Sequence, residues 1–117
     1  DFVEQEPRSC AVIRDNLERT GFAAQAHVYC SKVKKALSFL NKEYNIVFMD
    51  PPYAEDVLDD LLTELARSSL LAEAAIAVAL HATRSATSPA YGNLSLIKER
   101  RHGDTCVSFY QREIGKP

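Results

Sequence analysis

The chain has no tryptophan, one methionine, four glycines and three cysteines among its 117 residues. Each scarcity closes off a class of protein. Cys10, Cys30 and Cys106 are odd in number and far apart, and no Cys-x-x-Cys or Cys/His spacing occurs. Neither a disulfide framework nor a metal site is therefore expected, and buried free thiols are the expected state. No apolar run approaches the roughly 20 residues that cross a bilayer, and no signal-peptide pattern opens the chain, so no membrane partner is expected and the cytoplasm is the default location. Charge of one sign is lacking too. Fourteen Lys and Arg against sixteen Asp and Glu give a net charge of −2. That balance argues against a protein that grips nucleic acid by its overall field, but it leaves room for a local basic patch at Lys98, Arg100 and Arg101.

What is present fits one soluble domain over residues 1–117, with 46% hydrophobic and 26% charged residues. Phe2-Val3-Glu4 reads as a short strand ending in an acid. Pro7 suits a first helical turn, Cys10, Ile13 and Leu17 recur at helical spacing, and Gly21 closes that helix. Residues 26–29 form a second strand candidate. Ser31 is placed to cap a helix whose apolar face is Val33, Ala36, Leu37 and Leu40. The run from Tyr44 to Met49 is too short for a helix and apolar on both faces, as expected of a central parallel strand covered on each side. Two prolines end it. A helix over 56–68, a buried strand over 74–80, a Ser/Thr/Pro/Gly-rich loop over 83–93 and two strands joined at His102-Gly103-Asp104 follow. This alternation predicts an α/β sheet, mainly parallel, with a C-terminal antiparallel hairpin.

In an open parallel sheet, ligands bind beyond the carboxyl ends of the strands. Glu4, Cys30-Ser31 and Asp50-Pro51-Pro52-Tyr53 all fall at such ends. The tetrapeptide resembles the catalytic motif of the amino-methyltransferases, which act on adenine N6 or guanine N2. The chemistry accounts for its residue types. An exocyclic amine is a poor nucleophile because its lone pair is delocalised into the ring, and acceptors around the NH2 group restore that lone pair and favour the developing positive charge. On this resemblance Asp50 and the Pro51 carbonyl are those acceptors. Pro51 and Pro52 fix the loop, and Tyr53 stacks on an unstacked base. The same resemblance implies that Glu4 holds the ribose hydroxyls of S-adenosylmethionine and that Cys30 and Ser31 stand against its adenine, where a cysteine departs from the commoner acid.

Four stretches narrow the resemblance: Phe2-Val3-Glu4, Ile13-Arg14-Asp15-Asn16-Leu17, Asp50-Pro51-Pro52-Tyr53, and the run from Lys98 through Arg101-His102-Gly103-Asp104 to Thr105. In this order they resemble the small bacterial 16S ribosomal RNA (guanine-N2)-methyltransferases, over nearly the whole chain. The resemblance implies a Rossmann-like class I methyltransferase sheet, S-adenosylmethionine as cofactor, and ribosomal RNA or the small ribosomal subunit as partner. It also implies RNA phosphate contacts from Lys98, Arg100 and Arg101. Leu80 departs from the pattern, standing where the family carries a glutamate. Two other readings remain open at this point. One is an adenine-N6 methyltransferase on DNA or RNA, and the other is a non-catalytic Rossmann-like module that binds RNA or protein.

The family's cofactor site also uses a glycine-rich turn after its first strand, and no Gly-x-Gly occurs here. With Met49 the sole methionine and Phe2-Val3 opening directly on a strand, the chain is expected to be the C-terminal two-thirds of a catalytic domain. Such a piece is expected to bind cofactor poorly, to be weakly active, and to self-associate through the edge left open.

Overall fold

The computed structural model describes residues 1–51, 57–84 and 87–114. Two compact units divide the chain, Asp1–Leu40 and Asn41–Pro117.

In the first unit, strand β1 (Phe2–Glu4), helix α1 (Pro7–Thr20), strand β2 (Val28–Cys30) and helix α2 (Val33–Phe39) follow one another, with a short 3-10 turn at Ala23–Gln25. The strands pair in parallel, Phe2 with Val28, Val3 with Tyr29 and Glu4 with Cys30. Pro7 opens α1 where its missing N–H costs nothing, and the Glu6 carboxylate accepts from the Arg8 N–H. Gly21 ends the helix in the left-handed region at φ 80°, and the Gly21 and Phe22 N–H groups satisfy the Glu18 and Leu17 carbonyls. Cys10 is fully buried, and its thiol donates to the Glu4 carbonyl at 3.2 Å. Helix α2 departs from expectation at its start. Its N-cap is Lys32, without a side-chain cap, and the Ser31 hydroxyl donates instead to the Lys32 carbonyl at 3.1 Å.

The second unit holds strands β3 (Tyr44–Met49), β4 (Leu71–Ala82), β5 (Ala90–Tyr91), β6 (Leu94–His102) and β7 (Thr105–Arg112), with helix α3 (Val57–Arg67) after β3. The sheet order is β3-β4-β7-β6-β5. The β3–β4 pair is parallel and the rest antiparallel, so the terminal hairpin stands as the sequence predicts. Helix α3 buries Leu58, Leu61, Leu62 and Leu65. Ala75, Ala77 and Ala79 on β4 are buried as well, and their small side chains let a helix lie close to the sheet. Tyr110 on the same face meets Tyr91 edge-on at 5.5 Å, and Tyr91 hydrogen-bonds Asp59 of α3. Gly92 sits at φ +55°, where a Cβ would stand 3.3 Å from the Ala66 Cβ. The positive φ favours glycine there, and an added side chain would press on Ala66 of α3.

Three expectations need correction. Strand β3 is covered on one face only among the described residues: Val47 and Met49 pair with buried Ala77 and Ala79, while Ile46 and Phe48 remain 60% and 74% exposed. Apolarity on both faces marks where a strand is suited to cover without supplying it. Strand β4 runs well beyond the predicted 74–80, and β5 interrupts the predicted loop. A two-residue strand is too short to produce periodicity. The third correction concerns the thiols, since Cys30 is exposed while Cys10 and Cys106 are buried. No helix among the described residues is long and apolar enough to cross a membrane.

Candidate active site

Glu4 and Cys30 end adjacent parallel strands as direct ladder partners. The chain crosses over just beyond them, where the Ser31 N–H donates to the Glu4 carbonyl at 2.8 Å. The Gln5 N–H donates to one Glu4 carboxylate oxygen at 3.0 Å, which leaves the other available as an acceptor. An open cleft of about 700 Å³ lies here, lined by Gln5, Glu6, Tyr29, Cys30, Ser31, Lys32, Lys35 and Phe39. Tyr29 and Phe39 form its aromatic wall, their ring centres 5.4 Å apart. Sequence reasoning finds the strand-end residues but misses this wall. Phe39 is the last residue of α2, and the ring it packs against, Tyr29, comes from β2. Burial, and then the Cys30 thiol beside it, push the Cys10 thiol up to about 11, so it stays protonated at neutral pH.

In the second unit, Asp50 and Pro51 follow β3 directly, Asp50 exposed and Pro51 half-buried. Pro52 and Tyr53 lie outside the described residues. Met49 pairs with Ala79, so the next step along both strands sets Asp50 beside Leu80 at the carboxyl end of the parallel pair. The same end of the sheet carries the β6–β7 turn, because β4 and β7 are antiparallel and Ala82 pairs with Thr105. Thr83 holds that turn in place, its hydroxyl donating to the Gly103 carbonyl at 2.9 Å and its N–H to the Asp104 carbonyl at 2.8 Å. The acid after β3 and the basic hairpin therefore project from one sheet end.

The three hairpin cations do not form one patch. A register shift between Leu96 and Lys98 sets Lys98 opposite Phe109 and Arg100 opposite Val107, on one face. Arg101 lies opposite Cys106 and so faces the other way, with Glu99. The first face is the one that bears Phe48, Val78 and Leu80, since Phe48 pairs with Val78, Val78 with Phe109, and Leu80 with Val107.

The profile of the family described as conserved hypothetical protein 95 matches residues 1–111. The chain belongs to that family. A Bacillus subtilis (strain 168) protein named "Putative rRNA methyltransferase YlbH" is 27% identical over 114 residues, covering 95% of this chain and 62% of its own. This chain thus spans less than two-thirds of that relative's length. Among solved structures, a conserved hypothetical protein from Streptococcus pyogenes superposes with a TM-score of 0.88 at 26% identity, covering 95% of this chain and 69% of that one. An Escherichia coli protein, "Putative methyltransferase yhhF", gives 0.84 at 26% identity, covering 97% and 62%. The α/β fold of this chain is that of class I methyltransferases. The family match takes in Glu4, Cys30, Asp50 and the basic hairpin together.

Proposed function

We propose that this chain belongs to an S-adenosylmethionine-dependent methyltransferase that modifies the exocyclic N2 amine of a guanine in 16S ribosomal RNA. The observation that carries the reading is the placement of Asp50-Pro51 straight after a parallel strand, at the sheet end from which the Lys98–Asp104 hairpin also projects. The named relatives support methyl transfer, and the name of the Bacillus subtilis relative supports an rRNA substrate.

The residues fit the roles. Asp50 is exposed, so its carboxylate is free to accept hydrogen from an incoming NH2 group, and the Pro51 carbonyl offers a second acceptor on a stiff segment. Tyr53 stacks on the base. Lys98 and Arg100, on one face of β6, bind phosphates, as does Arg101 from the other. The cleft at the ends of β1 and β2 has the volume of a small-molecule site and an aromatic wall, and its lining begins at Gln5, next to Glu4 in the chain, which suits a nucleoside carrying ribose hydroxyls and a planar base. Glu4 holds the hydroxyls, and Cys30 and Ser31 border the base. S-adenosylmethionine bound there supplies an electrophilic methyl group, and the chain's own task is to hold and orient the amine.

The deciding assay measures transfer of labelled methyl groups to 16S rRNA and to small ribosomal subunits by the protein containing this chain, followed by nucleoside analysis. N2-methylguanine, with a loss of at least about a hundredfold in Asp50→Ala, is the expected result. N6-methyladenine as product would move the assignment to adenine. RNA binding without transfer would leave a binding module, and full activity in Asp50→Ala would remove the proposed role of the carboxylate.

A further inference from the structure

Sequence spacing gives no metal motif, but the sheet register assembles a ligand set from residues far apart in the chain. His81 on β4 pairs with Cys106 on β7, and Ser108 on β7 pairs with Glu99 on β6. Residues paired across antiparallel strands point to the same face, so His81, Cys106, Ser108 and Glu99 share one side of the sheet. One nitrogen of His81, the Cys106 sulfur and one Glu99 carboxylate oxygen all lie within 4.8 Å of one another. We propose that His81, Glu99 and Cys106 form a binding site for a divalent, zinc-type cation.

Geometry and chemistry agree. Ligand bonds of about 2.0–2.3 Å in a tetrahedral site set the donor atoms roughly 3.5 Å apart, and the three donors here already lie within 4.8 Å of one another. His81 Nδ1 lies 3.1 Å from the Ala82 carbonyl oxygen. A carbonyl only accepts, so Nδ1 carries the hydrogen and Nε2 presents its lone pair. That is the tautomer a metal requires, held by the kind of backbone contact that orients ligating histidines. Nε2 now accepts from the Ser108 hydroxyl at 2.8 Å, and the hydroxyl can rotate to give way or remain beside the ion. The Cys106 thiol donates to a Glu99 carboxylate oxygen at 2.9 Å. An entering cation takes the place of that hydrogen, which leaves as a proton to solvent. The resulting thiolate and carboxylate together balance the two positive charges, and His81 remains neutral.

Access is built in as well. His81 and Cys106 are 5% and 3% exposed, while Glu99 is exposed and opens the cluster to solvent. A buried soft donor and a buried imidazole beside an open carboxylate favour zinc over magnesium or calcium, which prefer all-oxygen sites. Three protein ligands leave a fourth position for water or an exogenous group.

Cobalt(II) added to the metal-free 117-residue chain is the test. The expected result is a saturable thiolate-to-cobalt charge-transfer band with the intense visible bands of tetrahedral cobalt, both abolished by zinc. Cys106→Ser should remove the charge-transfer band, Glu99→Gln should weaken binding by at least about tenfold, and Cys30→Ser should leave both unchanged. Glu99 is exposed, so its variant tests the site even if Cys106→Ser does not fold. Absence of the band, its survival in Cys106→Ser, or unchanged affinity in Glu99→Gln overturns the proposal. None of these readouts depends on methyl transfer.

Discussion

The Tyr91 hydroxyl donates to the Asp59 carboxylate, and this one contact ties the shortest strand of the sheet to the helix that covers it. The same oxygen accepts from the Ser88 N–H at 3.0 Å, so it serves both the helix and the loop before β5. Tyr91→Phe removes both bonds and strands a carboxylate. The expected cost is about 1–3 kcal/mol in urea unfolding, and an unchanged midpoint would count against the contact. The same contact predicts a pH dependence. Burial first, and then the bond to Asp59, push the Tyr91 hydroxyl from 10.0 up to about 12. Its contribution to stability is therefore complete below about pH 10, where tyrosine is protonated in both states, and fades as pH rises towards 12. Tyr91→Phe should flatten that alkaline decline.

The cysteines should separate by reactivity. Cys30 is exposed, while burial raises the Cys10 and Cys106 thiols above 9.0, with the Cys30 thiol adding to the first and the Glu99 bond to the second. Iodoacetamide at neutral pH should label Cys30 rapidly and the other two only on unfolding. Peptide mass mapping reads the order directly, and early labelling of Cys10 would contradict the burial described for α1.

Ala74 lies at φ 61°, in the left-handed region, where three extra residues of β4 bulge out between the Tyr44–Leu71 and Ile46–Ile76 pairs. An L-residue is strained there and glycine is not. Ala74→Gly should stabilise the chain by about 0.5–1 kcal/mol, net of the greater freedom glycine adds to the unfolded state. A lower thermal midpoint in that variant would show that the bulge is held by something other than backbone preference.

For RNA binding, the register separates the hairpin cations into two classes. Lys98 and Arg100 share a face, whereas Arg101 stands with Glu99 on the other. If one strand of RNA runs along the first face, Lys98→Ala and Arg100→Ala should each lower the salt dependence of binding by about one counterion, and Arg101→Ala should do less. Salt titrations of RNA affinity measure this. Equal slopes for all three variants would place RNA around the hairpin tip instead.

Much of the architecture was legible in the chain itself. Pro7 and Gly21 bound a helix because one lacks an N–H and the other tolerates positive φ, and both effects are local. The run from Tyr44 to Met49 followed by two prolines specified a strand and its end, and with it the position of Asp50. Turn chemistry at Gly103 specified the hairpin. The residue types that carry the proposed chemistry were therefore placed at strand ends before any tertiary contact was known.

Only the tertiary structure decided which residues meet. Alternation along β6 already sets Arg101 apart from Lys98 and Arg100, but the one-residue shift near Ile97 decided which β7 residue each of them stands opposite. The β4–β7 pairing brought His81 beside Cys106, although 24 residues lie between them in the chain, since no local periodicity encodes a cross-strand partner. The aromatic wall of Tyr29 and Phe39, the cover of β3 on one face and the exposure of Cys30 have the same origin. Propensity and patterning act over a few residues and fix the elements. Register and packing join distant residues, and they fixed the neighbours of each candidate site.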